Sequence, residues 1–248
     1  LEKTARNYST LSYLLKERAH VGPAFAFRAG DEEEWREWKE ALRARLISLL
    51  GGFPEERAPL DAEVLETVEE DSYVREKVVY QSESEVSVPA YLLIPRERRG
   101  RSRALLCLHG HGRGKDDVVG LAANLVQRQQ AIRPLNYDYG AQFARRGYVV
   151  LAPDARAFGE RVKDGMNCTW AFTSALLLGK VMVGLRVWDA IRSIDYLQSR
   201  PEVDGEGIGC VGLSWGGTHT AYTSAVDERV KAAVISGYFS SFQDMLIE

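Results

Sequence analysis

The sequence predicts an α/β fold in which a mostly parallel central sheet carries helices on both faces. Three observations lead there. Two extended segments joined by a short turn come first, at Tyr73–Gln81 and Val86–Pro95. From Ala104 onward, short apolar runs alternate with stretches of helical periodicity, the pattern of strands joined by crossover helices. Near the end, Ile208-Gly209-Cys210-Val211-Gly212-Leu213 leads into Ser214-Trp215-Gly216-Gly217, a strand that turns sharply into a helix. A chain of 248 residues, 45% hydrophobic and 27% charged, can build one large core but not two comfortable domains.

Taken in order, the elements are as follows. Trp35, Trp38, Leu42, Leu46 and Leu49 recur at three or four residues and predict a helix over 31–50. Asp31 caps it, Glu32, Glu33 and Glu34 suit its positive first turn, and Gly51-Gly52 with Pro54 ends it. An acidic connector leads to the two strands, which meet at a turn around Ser82–Glu85. The run Ala104–Leu108 is apolar throughout and is expected to be central. A helix near Tyr139–Arg146 precedes the strand Tyr148–Ala152. A long loop follows, then a helix over Val183–Ser199 that buries Val187, Ile191, Ile194 and Leu197. The strand at 208–213 and another at Val230–Ile235 complete the pattern. Residues 1–70 are expected to be a helical segment packing on a domain formed by 71–248. The sequence has no internal repeat.

Composition narrows the partners. A formal charge of −3 with both signs interspersed gives no reason to expect nucleic acid or a membrane surface. No window has the apolar length of a membrane span. Cys107, Cys168 and Cys210 are too few and too scattered for a disulfide framework or a zinc site, and free thiols favour a cytoplasmic location.

Ser214 is the candidate nucleophile. A serine placed on a tight strand-to-helix turn crowds the backbone on both sides, and glycines at minus two and plus two, here Gly212 and Gly216, relieve the clash. The overlapping string Gly207-Ile208-Gly209-Cys210-Val211-Gly212 imitates a dinucleotide fingerprint. In that motif the glycines follow the strand, whereas here two lie before and within it. The acidic residue expected after the next strand is missing, because Val230–Ile235 runs into Ser236-Gly237.

After the central strand comes His109-Gly110-His111-Gly112-Arg113-Gly114-Lys115, a glycine-rich loop at a carboxyl edge, where open α/β sheets bind ligands. A tetrahedral acyl intermediate needs two backbone donors aimed at its oxyanion. The N–H groups of His111 and Trp215 are the expected pair. The loop is not a Walker motif, since Asp116 stands where a serine or threonine must follow the lysine. Two histidines at i, i+2 without further ligands make a poor metal site. Arg113 and Lys115 are expected to be solvated loop charges.

With these residues in place, the chain resembles the α/β-hydrolases, and among them the acetyl xylan esterase and dienelactone hydrolase relatives. The resemblance runs from about Tyr73 to the end. It rests on His109-Gly110-His111-Gly112, Asp154-Ala155-Arg156-Ala157-Phe158-Gly159, Arg200-Pro201-Glu202-Val203-Asp204 and the elbow at Ser214. It implies Ser214 as nucleophile and His111 and Trp215 as oxyanion donors, with Asp154 and Arg156 holding their loop. Ala157 and Arg161 stand where such esterases usually carry glycine and serine. Serine in place of the dienelactone hydrolases' cysteine favours ester chemistry.

A serine needs a histidine base oriented by an acid, and in this fold both follow the nucleophile in sequence. The one histidine after Ser214 is His219, five residues along the following helix, an offset that points it away. Asp227 and Asp244 read as ordinary surface carboxylates. The fold usually has eight strands and six are legible here, so the sheet is expected to be truncated after its sixth strand, with about 100 residues bearing the acid and histidine lying elsewhere. An apolar edge strand would then need a cover, from further residues, another chain or a second copy.

The expected activity is hydrolysis of a small carboxylic ester of the acetyl type through an acyl-enzyme on Ser214, without metal or cofactor. A peptidase on the same fold and a hydrolase-like binding protein without catalysis are the alternatives.

Overall fold

The computed structural model describes residues 6–122, 124, 126, 130, 132–162, 165, 167–238 and 240. By contacts the chain divides into two units, residues 1–44 with 240–248, and residues 45–239.

In the first unit, helix α1 (Thr10–Ala19) is capped by Ser9, whose side chain accepts the Ser12 N–H. Helix α2 spans Glu32–Leu49. Its start is a reciprocal cap. Asp31 Oδ1 accepts the Glu34 N–H at 2.9 Å, and Glu34 Oε2 accepts the Gly30 N–H at 2.7 Å. Trp38 donates to the Phe25 carbonyl and meets the Phe27 ring edge-on. Trp38, Leu42 and Leu46 of the predicted stripe are half-buried, whereas Trp35 and Leu49 are exposed.

The second unit holds a seven-stranded sheet. Its strands are β1 (Glu63–Glu69), β2 (Tyr73–Glu83), β3 (Val86–Pro95), β4 (Ser102–Leu108), β5 (Val149–Pro153), β6 (Val203–Leu213) and β7 (Val230–Ser236). The spatial order is β1-β2-β3-β5-β4-β6-β7. The first three pairings are antiparallel and the rest parallel, so the sheet is mixed as the sequence implied. The strand count is a correction: β1 arises from the stretch expected to be an acidic connector, so Val230–Ser236 is the seventh strand and not the sixth.

Both central strands are buried as their apolar runs demand, with Leu106 of β4 facing Leu151 of β5 on one side and Cys210 of β6 on the other. One face of the sheet is covered by helix α6 (Met182–Ser199), whose Ala190, Ile194 and Leu197 pack on Leu92, Leu106 and Leu151. The opposite face takes helices α3 (Lys115–Val119) and α4 (Tyr139–Ala144), which place Val118, Ala141 and Ala144 against Leu93, Cys107 and Val150. Helix α5 (Cys168–Leu177) falls within the predicted long loop, and helix α7 (Trp215–Val226) follows the elbow. Strand β7 is an edge, and Val234 on it is 52% exposed. No single described helix is long and apolar enough to cross a membrane.

Candidate active site

Parallel pairing of β4 with β6 sets Leu108 beside Gly212, so the loop after β4 and the turn after β6 leave the sheet together at one edge. Ser214 lies in that turn at the N-cap of α7, with φ 55° and ψ −121°. A side chain in this sparsely populated region costs about 1–3 kcal/mol and persists only where its surroundings over-determine it. They do so here. The Ser214 N–H donates to the Ser236 carbonyl at 2.8 Å, and the Ser214 carbonyl accepts the Thr218 N–H at 3.1 Å. A Cβ on Gly212 would stand 2.0 Å from the Gly216 carbonyl oxygen, and one on Gly216 would stand 1.8 Å from that of Leu108. Both flanking glycines are therefore required by contact, as their spacing implied. Ser214 is half-buried.

The facing loop is tied down peptide by peptide. Ala155 N–H donates to His109 Nε2 at 2.9 Å, which makes that nitrogen an acceptor and puts the ring proton on Nδ1. Nδ1–H then donates to the Gly110 carbonyl at 2.7 Å. Burial, only partly offset by that bond and by Asp154, holds the His109 pKa below its ordinary value, so the ring is neutral. Across a trans peptide the N–H opposes the C=O, so the His111 N–H points away from His109. It meets no acceptor among the described residues, and neither does the N–H of Trp215, which opens a helix. Gly110 packs close to the serine: a Cβ there would lie 3.1 Å from Ser214 Cβ.

His111 is exposed and its ring stands edge-on to Trp215, at 5.8 Å between centroids, and to Phe158, at 5.4 Å. Burial and then the Arg186 charge lower its pKa, which favours the neutral ring. His219 is buried with its ring tilted beside that of Trp215, and its Nε2 has no partner among the described residues. Its pKa is driven well down, first by burial and then by Arg186. Ser214 Oγ has no hydrogen bond to a histidine among the described residues.

Several charged residues depart from expectation. Lys115 is not solvated: it is 2% exposed, and its Nζ pairs with Asp154 at 2.7 Å and with Glu160 at 2.5 Å. Burial alone would lower its pKa, and the two carboxylates more than reverse that. Arg113 is likewise engaged, its guanidinium on Asp117 Oδ1 and its backbone N–H on Asp117 Oδ2. Asp227 is buried and paired with Arg229, so it is not a surface carboxylate, while Asp244 lies outside the described residues. Asp154 also accepts the backbone N–H groups of Lys115 and Glu160, which locks the loop after β5 to the loop after β4. Arg156 and Arg161 converge on the buried carboxylate of Asp189 in α6, and Arg156 also reaches Glu83 at the end of β2.

Sequence reasoning overlooked Tyr137, Asp117, Asp189 and Arg186. None lies in a motif. Each is brought to the loops by a helix or connection whose contacts the local pattern does not encode.

A serine at a strained strand-to-helix corner, on the carboxyl edge of a mixed sheet with a glycine-rich loop opposite, defines the α/β-hydrolase class. A sequence profile of the Abhydrolase family matches residues 4–244, and the chain belongs to that family. Among its relatives, a Bacillus subtilis (strain 168) protein named as a hydrolase, YtaP, is 33% identical over 196 residues, which span 77% of this chain and 62% of that protein. A crystal structure named as an acetyl xylan esterase from Bacteroides fragilis NCTC 9343 superposes with a TM-score of 0.78 at 18% identity, covering 94% of this chain and 61% of that one. A glucuronoyl esterase from Solibacter usitatus gives 0.60 at 16% identity, covering 81% of this chain and 58% of that one. The chain thus spans about three fifths of the length of these proteins. At such identities the structural likeness shows the fold.

Proposed function

We propose that this protein hydrolyses small carboxylic esters through an acyl-enzyme on Ser214. The single observation that carries the reading is the positive φ of Ser214 between two glycines that admit no Cβ. In the reaction Ser214 Oγ attacks the acyl carbonyl as its proton passes to a base. The N–H groups of His111 and Trp215 hold the resulting oxyanion. Collapse expels the alcohol and leaves the acyl group on Ser214, and water then releases the acid. Losing one such donor costs about 3–4 kcal/mol of transition-state stabilisation.

None of the described histidines bonds to Ser214, and the reading requires a base and an orienting acid besides the residues named above. Ester chemistry is supported by neighbours named as acetyl xylan and glucuronoyl esterases. The full-length protein is expected to turn over 4-nitrophenyl acetate and to leave aminoacyl 4-nitroanilides intact, with Ser214→Ala losing at least about 1,000-fold in kcat/KM. Faster cleavage of the anilides would move the reading to a peptidase. Equal rates for the wild type and Ser214→Ala would point to a binding protein on a hydrolase fold.

A further inference from the structure

We infer that Tyr137, which precedes α4 and lies outside every motif, is the positioning residue that sets the oxyanion loop for catalysis. The inference rests on the ester hydrolase reading above. Glycines on either side of His111 leave the loop backbone with few intrinsic conformational limits, so its geometry must be imposed from outside. Three successive peptide units span the loop, and each is tied, the outer two from outside the loop. The His109–Gly110 unit is held through the Gly110 N–H, which donates to Tyr137 Oη at 2.9 Å. The central unit is held through the Gly110 carbonyl by His109 Nδ1. The His111–Gly112 unit is held through the His111 carbonyl, which accepts from Tyr137 Oη at 3.3 Å. A single phenol thus clamps the units before and after the one that offers the proposed donor.

The clamp is itself fixed. Tyr137 is 5% exposed, its ring stacks on Tyr139, and its backbone N–H donates to the Ile132 carbonyl at 3.0 Å. Tyr139 in turn donates to the Leu108 carbonyl at 2.7 Å, at the point where β4 releases the loop. A Cβ on Gly110 would sit 3.1 Å from Tyr137 Oη and equally close to Ser214 Cβ, so phenol, loop and nucleophile are in one packed contact. The hydroxyl uses its proton on one side and a lone pair on the other, and only a neutral phenol can do both.

The test is Tyr137→Phe in the full-length protein, which removes one oxygen and keeps the ring. With an activated acetyl ester, kcat is expected to fall about 10- to 100-fold, part of the 100- to 1,000-fold cost of a lost donor, with KM within about twofold. Affinity for an alkyl boronic acid, which mimics the tetrahedral intermediate, is expected to fall by the same factor as kcat. Tyr80→Phe removes a hydroxyl bonded to Ser193 in the core, and is expected to lower the melting temperature while leaving kcat unchanged. An unchanged kcat and boronate affinity in Tyr137→Phe, with the wild type active, would overturn the inference alone. A wild type no faster than Ser214→Ala would overturn the hydrolase reading and this inference with it. Should Tyr137→Phe not fold, amide exchange in the wild type decides. The Gly110 N–H is expected to be protected, and the His111 N–H to become protected only when boronate binds. A Gly110 amide exchanging as fast as an unstructured one would overturn the inference.

Discussion

At Ser214 the chain accepts a backbone that L-residues avoid, and the consequence can be measured. Replacing Ser214 by glycine removes the Cβ from an unfavourable φ of 55° and is expected to raise stability by about 1 kcal/mol while abolishing hydrolysis. Ser214→Ala is expected to abolish hydrolysis equally but to keep the strain, so urea midpoints should separate the two. A gain in both, or in neither, would mean that the turn is not strained. The flanking glycines obey a harder constraint, because the atoms they would strike belong to the backbone. Gly212→Ala is expected to cost about 3 kcal/mol or more, read as a lower melting temperature. These roles were legible in the sequence because glycine spacing encodes a steric requirement directly. The role of Tyr137 was not, since no spacing rule links it to a loop 27 positions earlier in the chain.

At the scale of elements, the strands with continuous apolar runs were the legible ones, since burial on both faces leaves no polar position in the pattern. Strand β1 was hidden by Glu63, Glu66 and Glu69: at a sheet edge with most of its side chains in water, it needs no apolar face. Helix α5 was hidden for the opposite reason. Its Trp170, Phe172 and Leu177 are exposed and its composition is apolar all round, so no helical periodicity marks it. The burial of His109 on the loop after β4 and of His219 on α7 makes these elements sensitive to acid. Both rings have pKa values lowered by burial, so the stability they allow is fully present above the unfolded value of about 6.5 and declines as pH falls below it. Urea titrations at pH 7 and pH 5 should show a loss for the wild type and a smaller one for His219→Leu. Identical losses would mean that His219 takes up its proton in the folded chain as readily as in the unfolded one.

For the sheet unit as a whole, ion pairs join the loop after β5 to the scaffold. Asp189 holds Arg156 and Arg161, and Arg156 carries the connection on to Glu83. Burial raises the Asp189 pKa, but Arg161 and Arg156 pull it down further, to about 2. Its contribution is therefore present above the ordinary carboxylate range and is lost as pH falls through about 2. Asp189→Asn leaves the Arg161 guanidinium without its carboxylate and Arg156 with Glu83 alone, and is expected to cost about 3–5 kcal/mol, seen as a lower unfolding midpoint. A change under about 1 kcal/mol would show the network to be solvated instead. The resemblance implied that Arg156 holds its loop, and its ion pairs do so; the partner Asp189 and the burial of Arg161 were not visible, because both arginines stand some thirty residues from Asp189 and carry no pattern that marks burial. The motifs around Ser214 and His109 were visible because turns and close approaches are local.

The central claim is the proposal that Ser214 Oγ is the nucleophile and that the N–H groups of His111 and Trp215, which meet no acceptor among the described residues, receive the oxyanion. It is tested most directly by treating the full-length protein with a fluorophosphonate and mapping the adduct by peptide mass spectrometry. A single adduct on Ser214, formed in the folded protein and absent when the protein is denatured before labelling or carries Ser214→Ala, is the expected result. An unmodified Ser214 in a protein that remains folded, or an adduct on another residue, would contradict the account.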